Sequence, residues 1–389
     1  MNKKMIKWAI LSISMLQMGA MGIAPALADI AKAFPESGIS SIQMLMTFPG
    51  LVVIVVSLIA GQLSAMIYKK RLAGLGVSLF VASGLGAYLV NSSITILYLW
   101  AMVLGCGMGL FIPTATGLIA DYFEGDERAV VMGQQTTFVN FGGILLTFVG
   151  GMLATISWQS NYLVYLTGIP ALILCIVGLP YEEKKAAEVH KKVKVDKVVY
   201  YYALVSFLFV LIYNVVPTNM ALFVDEAGFG NAATSGSASS IFLLGGVIAG
   251  LFFGKLSHKL NEYMFSLAFF VLFVGFMINY NATNAAILFI GTFIAGMGMS
   301  LLMPECILSV SMKVKPMAVT MGIAIVMAAA NLATFLSPVI FTPLSGMTGD
   351  LSVRFRFLFT GVIALVFAII FAVITRQKQK KSALENISC

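Results

Sequence analysis

The chain has 389 residues, of which 60% are hydrophobic and 10% charged, with a mean hydropathy of +0.97. Soluble globular domains carry roughly 25% charge, which excludes a soluble enzyme or binding module. The formal net charge of +8 does not mark a nucleic-acid binder, because the basic residues sit in short clusters between long uncharged runs.

Runs of about 20 apolar residues are long enough to cross a hydrocarbon layer of ~30 Å. Inside lipid the backbone must satisfy its own hydrogen bonds, so such runs are predicted as helices. Six are expected near residues 5–27, 42–66, 72–91, 94–120, 130–155 and 160–180. Six more follow near 198–225, 235–257, 263–281, 285–312, 316–343 and 352–375. The fold class is therefore an all-α polytopic membrane protein with twelve transmembrane helices. Its expected divisions are an N-terminal six-helix bundle (1–180), a charged linker (181–197), a C-terminal six-helix bundle (198–375) and a tail (376–389). The first span imitates a secretory signal, with Lys3 and Lys4 ahead of it and Ala26-Leu27-Ala28 behind. Its apolar run exceeds a typical signal core, and its removal would leave eleven helices, so it is read as a retained span.

Lysine and arginine set the orientation. With the amino terminus in the cytoplasm, 21 of the 24 basic residues fall on the cytoplasmic side, the exceptions being Lys32, Arg354 and Arg356. Both termini and the linker are thus expected inside, in a multi-pass protein of the cell (cytoplasmic) membrane.

The two halves are also written alike. Gly61-Gln62-Leu63-Ser64 returns as Gly254-Lys255-Leu256-Ser257, 193 residues later. LGCGMGLFIP, ending at Pro113, returns as IAGMGMSLLMP, ending at Pro304, and AVVMG (129–133) returns as AVTMG (318–322). A parallel duplication in so apolar a chain points to a transporter built from two similar bundles. Glycines 105, 107 and 109, echoed by Gly296 and Gly298, let helix backbones approach. Pro113 and Pro304 are places where those helices can bend.

In the loop after the second span, Gly61, Leu63, Lys69, Lys70 and Arg71 resemble in register the signature Gly-x-Leu-x-Asp-Arg-x-Gly-Arg-Lys/Arg-Lys/Arg of the major facilitator superfamily. Ala65 stands where that signature has Asp, and Met66 where it has Arg. The second copy keeps Gly254, Leu256 and Lys259, with His258 at the Asp position. The resemblance implies gating loops in which charges latch one state, with a weak latch at Ala65. The fourth span carries Ala101 where the family's proton-coupling Arg would stand, whereas Asp121, Glu127 and Arg128 follow its Asp-x-Phe…Glu-Arg pattern. In the fifth span Gly133, Gly142, Gly143, Gly150 and Gly151 resemble the antiporter signature of drug exporters without its proline. The resemblance further implies a monomer with a central cavity between the halves.

Polar side chains within spans are the cavity candidates: Gln17, Gln134, Gln135, Asn140, Tyr213, Asn214 and Asn331. Each amide equally suits hydrogen bonding between helices. Glu305 is the one acid of 16 that falls well inside a span. A charge there costs roughly 2.5–3.5 kcal/mol on insertion scales, so the neutral, proton-carrying form is favoured. It is the coupling candidate, against a purely structural reading. Arg354 and Arg356 are expected to pair with an outer acid such as Asp350 or Asp225.

Cys106, Cys175 and Cys306 lie within spans, His190 and His258 lack metal-ligand spacing, and no Walker A pattern is present. Neither a cofactor, a metal nor an enzymatic constellation is expected. The reading is a secondary transporter of a small organic or amphipathic solute by alternating access, with proton-linked efflux favoured. Metabolite uptake by symport or uniport is the alternative, and a transporter-like sensor or scaffold is the alternative of another class.

Overall fold

The computed structural model describes residues 3–180, 196–260, 263–314, 316–346 and 352–387. Among them there is no strand, and twelve helices are long and apolar enough to cross a membrane. They are α1 (Lys3–Ala33), α2 (Ile39–Met66), α3 (Lys69–Leu89), α4 (Ile94–Tyr122), α5 (Gly125–Ala154) and α6 (Ser160–Gly178). Then come α7 (Lys197–Glu226), α8 (Ala232–Leu260), α9 (Tyr263–Tyr280), α10 (Ala285–Lys313), α11 (Pro316–Gly346) and α12 (Val353–Ile387). Of the expected linker, only Asp196 and Lys197 lie within the described residues. The apolar span of α12 runs over Val353–Gln379, close to the expected 352–375, and the helix continues to Ile387.

The duplication is visible at the level of helix ends and breaks. Ser93 accepts a hydrogen bond from the backbone N–H of Ile96 at 3.3 Å, capping α4. Asn284, 191 residues on, accepts from Ile287 at 3.0 Å and caps α10. Each satisfies one of the donors that a helix start leaves unpaired. α1 is interrupted: an α-helix over Lys3–Ser14 gives way to 3-10 geometry over Gly19–Ala26 before Leu27–Ala33. α7 breaks at Asn214, between Lys197–Tyr213 and Val215–Glu226. Pro217 lacks the N–H that would bond the carbonyl of Tyr213, so the first segment ends there.

The chain forms two compact units. The first gathers the described residues up to 180 together with Pro217–Ser240, and the second gathers 196–216 with those from Ile241 onward. In the first unit, a Cβ on Gly107 would lie 2.6 Å from the carbonyl oxygen of Gly76, and one on Gly76 would lie 2.7 Å from that of Gly107. α3 and α4 therefore touch backbone to backbone. Gly105 meets Pro49, and Gly109 meets Val56, so α2 closes on the other side of α4. Phe80 fills the centre, 5.1 Å from the Tyr165 ring and 6.1 Å from Phe111. The fully buried Asn161 donates to the carbonyls of Gly22 (3.0 Å) and Gly150 (2.9 Å), tying α6 to α1 and α5. The buried Gln43 of α2 donates to Asn219 at 2.7 Å and to the carbonyl of Thr218 at 3.2 Å.

The second unit repeats the scheme with more aromatic residues. A side chain on Gly296 would run into the carbonyl of Phe242, so α8 and α10 are as close as α3 and α4. Phe209 lies 5.2 Å from Phe269, which stacks on Phe371 at 5.4 Å. Large apolar residues such as Leu58, Leu89, Leu251 and Met312 remain exposed.

Candidate functional site

Glu305 follows Pro304 on α10 and lies among Leu301, Leu302 and Cys306, all buried; it is itself 5% exposed. The hydroxyl of Ser257 on α8 donates to its Oε2 at 2.7 Å. Ser257 belongs to the second Gly-x-Leu-Ser copy and is buried as well. The same register in the first copy gives a different result. Thr114, the counterpart of Glu305, donates to Leu110 of its own helix at 2.6 Å. The carboxyl thus crosses between helices where the threonine turns back. The serine hydroxyl and the carboxyl join α8 to α10 by a charge-capable hydrogen bond in the buried interior.

Of the expected cavity residues, Gln17, Gln134, Gln135 and Asn140 belong to the first unit and Tyr213, Asn214 and Asn331 to the second. Gln17 stands in the break of α1, and its Nε2 is buried with no hydrogen-bond partner among the described residues. The Oε1 of Gln134 on α5 is buried in the same unpartnered way. Gln135 donates to Thr116 of α4 at 3.4 Å, and Asn140 donates to Thr136 of its own helix at 3.0 Å. In the second unit Tyr213 is buried in the aromatic cluster, 4.6 Å from the Phe242 ring. Asn214 donates to Val210 (2.9 Å) and to Thr334 of α11 (3.2 Å), which anchors the α7 break. Asn331 is half-buried on α11.

The loop residues sort similarly. Lys69 forms an ion pair with Asp121, joining the start of α3 to the end of α4, with each side chain about four-fifths buried. The backbone carbonyl of Lys70 accepts from the Cys175 thiol, and Arg71 lies 5.5 Å over the Tyr68 ring. Gly61 and Gly254 have open space where a Cβ would stand, and His258 and Lys259 are exposed. Gly298 abuts Phe209, while Pro113 and Pro304 sit inside continuous helices. The side chain of Ala65 lies outside the described residues.

At the opposite end of the first unit, Lys32 pairs with Asp225 and, at 3.7 Å, with Asp29. They line a cavity of about 170 Å³ together with Asn231 and Ser235. Asp225 therefore turns to Lys32, and Arg354 donates to the carbonyls of Tyr280 and Ala282, each at 2.9 Å. Asp350 lies outside the described residues. Among the described residues no group of three or more metal-ligating side chains occurs.

The sequence model of the Major Facilitator Superfamily matches residues 9–278 and 231–387, the whole chain but for its ends. The chain belongs to the Major Facilitator Superfamily. It is thus a multi-pass integral membrane protein of a family of transporters. Among curated proteins it is 28% identical over 176 residues to the quinolone resistance protein NorA of Staphylococcus aureus. That match spans 45% of this chain and 45% of the relative. Solved structures share the fold at low identity. A bacterial homolog to the human lysosomal transporter Spinster, inward-facing and occupied, superposes with a TM-score of 0.77 at 12% identity, covering 95% of this chain and 96% of that one. The peptide transporter POT in complex with sulfate gives 0.72 at 12%, covering 97% and 98%.

Proposed function

We propose that this superfamily member is a secondary transporter that exports a small organic or amphipathic solute in exchange for protons. The observation that carries the proposal is the buried Glu305 carboxyl, hydrogen-bonded to Ser257 across α8 and α10. A carboxyl in the apolar interior changes charge when it gains or loses a proton, and that change is expensive enough to bias helix positions. The partial likeness to a quinolone resistance protein supports efflux and an amphipathic solute. In this reading the two repeat-related halves alternate access, the protein is a monomer in the cell membrane, and both termini are cytoplasmic.

The test uses the full chain in proteoliposomes with a fluorescent quinolone and a pH gradient of either sign. Exchange predicts that the drug moves against the proton gradient and that Glu305→Gln abolishes the dependence on it. Drug movement along the proton gradient would indicate symport, and movement indifferent to it uniport. Retained pH dependence in Glu305→Gln rules out this carboxyl as the proton carrier.

A further inference from the structure

The segment Pro217–Ser240 lies in the second half of the sequence, yet it packs within the first unit. It comprises the last part of α7, the turn after it and the start of α8, a helical hairpin at the end that the proposed topology puts outside. Alternating access, the reading on which this inference rests, requires the hairpin to part from α1, α2 and α5 in one state and to close on them in the other. The closing contacts differ in what becomes of each group when they part.

α8 sits on α5 with no side chain between them. A Cβ on Gly236 would lie 2.6 Å from the carbonyl oxygen of Thr147, and one on Gly151 2.8 Å from that of Ala232. This contact seats the hairpin without pinning it. Hydroxyls bridge the seam, Thr147 with Ser240 at 2.9 Å and Ser235 to the carbonyl of Pro25 at 3.2 Å. Each also has an acceptor on its own helix: Gly143 for Thr147, Gly236 for Ser240 and Ala232 for Ser235. Parting the helices therefore leaves all three hydroxyls bonded. At the rim Lys32 pairs with Asp225, the side chains being 59% and 44% exposed, and water replaces such a partner at little cost.

Gln43 of α2 behaves differently. It is buried, and so are Thr218 and Asn219 of the hairpin. A side-chain amide nitrogen carries two hydrogens, and Gln43 directs both to the hairpin, to Asn219 Oδ1 at 2.7 Å and to the carbonyl of Thr218 at 3.2 Å. Asn219 donates in turn to the Thr218 hydroxyl at 3.3 Å. Parting breaks both bonds of one amide together, in a dry contact where hydrogen bonds are strongest.

We infer that Gln43 is the bolt of this end: its amide, rather than the Lys32–Asp225 ion pair, sets the balance between the closed and the open hairpin. The reporter is Ser235, 1% exposed, changed to cysteine so that a maleimide reaches it when the hairpin parts. Labelling of Ser235→Cys in the detergent-purified full chain is followed by peptide mass spectrometry, which separates this position from the native cysteines. Adding Gln43→Leu should raise the labelling rate about tenfold. Asn219→Leu should act in the same direction, and the double variant should exceed the stronger single one by less than about twofold, because the two side chains share a bond. Lys32→Gln should change the rate by less than about twofold. Asn161→Ala, which loses two buried bonds in the same unit but none to the hairpin, should leave it unchanged. An unchanged rate in Gln43→Leu overturns the inference. So does an equal rise in Lys32→Gln, which would make the ion pair the bolt, or in Asn161→Ala, which would mean general loosening. The expected labelling pattern in a parent chain that moves no quinolone would uphold the bolt and refute the proposed function.

Discussion

Replacing Ser257 by alanine removes one hydroxyl and little volume, and it isolates the contact on which the coupling proposal rests. The hydroxyl stands 2.7 Å from Glu305 Oε2, with both residues buried. A hydrogen bond to an ionised group contributes roughly 1.5–3 kcal/mol, and one between neutral groups roughly 0.5–1.5 kcal/mol. Ser257→Ala should therefore destabilise the protein within the upper range while Glu305 is ionised, and within the lower range once it is protonated. In a Glu305→Met background, which offers no carboxyl, the same replacement should cost less than about 0.5 kcal/mol. Equilibrium unfolding of the four variants in mixed micelles, followed by circular dichroism at neutral and acid pH, gives the coupling at each pH. Additivity within about 0.5 kcal/mol at both pH values would mean that the two side chains do not act on each other and would refute the reasoning.

Two further predictions concern packing, both read from thermal unfolding in one detergent. Gly107→Ala places a methyl 2.6 Å from the Gly76 carbonyl oxygen and should cost roughly 1–3 kcal/mol. Gly254→Ala meets open space and should be neutral or stabilising by up to about 1 kcal/mol; equal effects at the two sites would contradict the close approach of α3 and α4. Asn161→Ala forfeits two buried bonds to carbonyls and should lose roughly 1–3 kcal/mol. Asn140→Ala, whose bond stays within its own helix, should cost under about 0.5 kcal/mol, and a larger loss there would show an unrecognised partner.

The twelve spans were legible because charge is so strongly excluded from them, and the family because Gly61, Leu63 and the following basic residues keep their register. The extra length of α12 was written in the sequence too: Arg, Gln, Lys, Ala, Leu and Glu are all good helix formers. The breaks in α1 and α7 had a signal in Pro25 and Pro217, hidden by the uniform hydropathy around them. What could not be read was partnership. Ser257 looks like any small polar residue of a span until α8 and α10 bring it to a carboxyl 48 positions away. Lys32 counted as an exception to the charge rule, yet it faces Asp225 from 193 positions away. Such pairs depend on which helix faces join, and a single sequence does not encode that locally.

The backbone contacts between α3 and α4, and between α8 and α10, have a mechanical consequence. Helices separated by a layer of side chains can shear, since rotamers adjust as the layer deforms. Where carbonyl oxygens already lie within van der Waals range of the opposing backbone, no such layer exists, and each pair behaves as one stiff plate. Compliance must then reside elsewhere in each half of the chain: in α1 where the ladder passes from i−4 to i−3 bonds over Met15–Met18, and in α7 at Asn214, where Pro217 leaves the Tyr213 carbonyl without its helical donor.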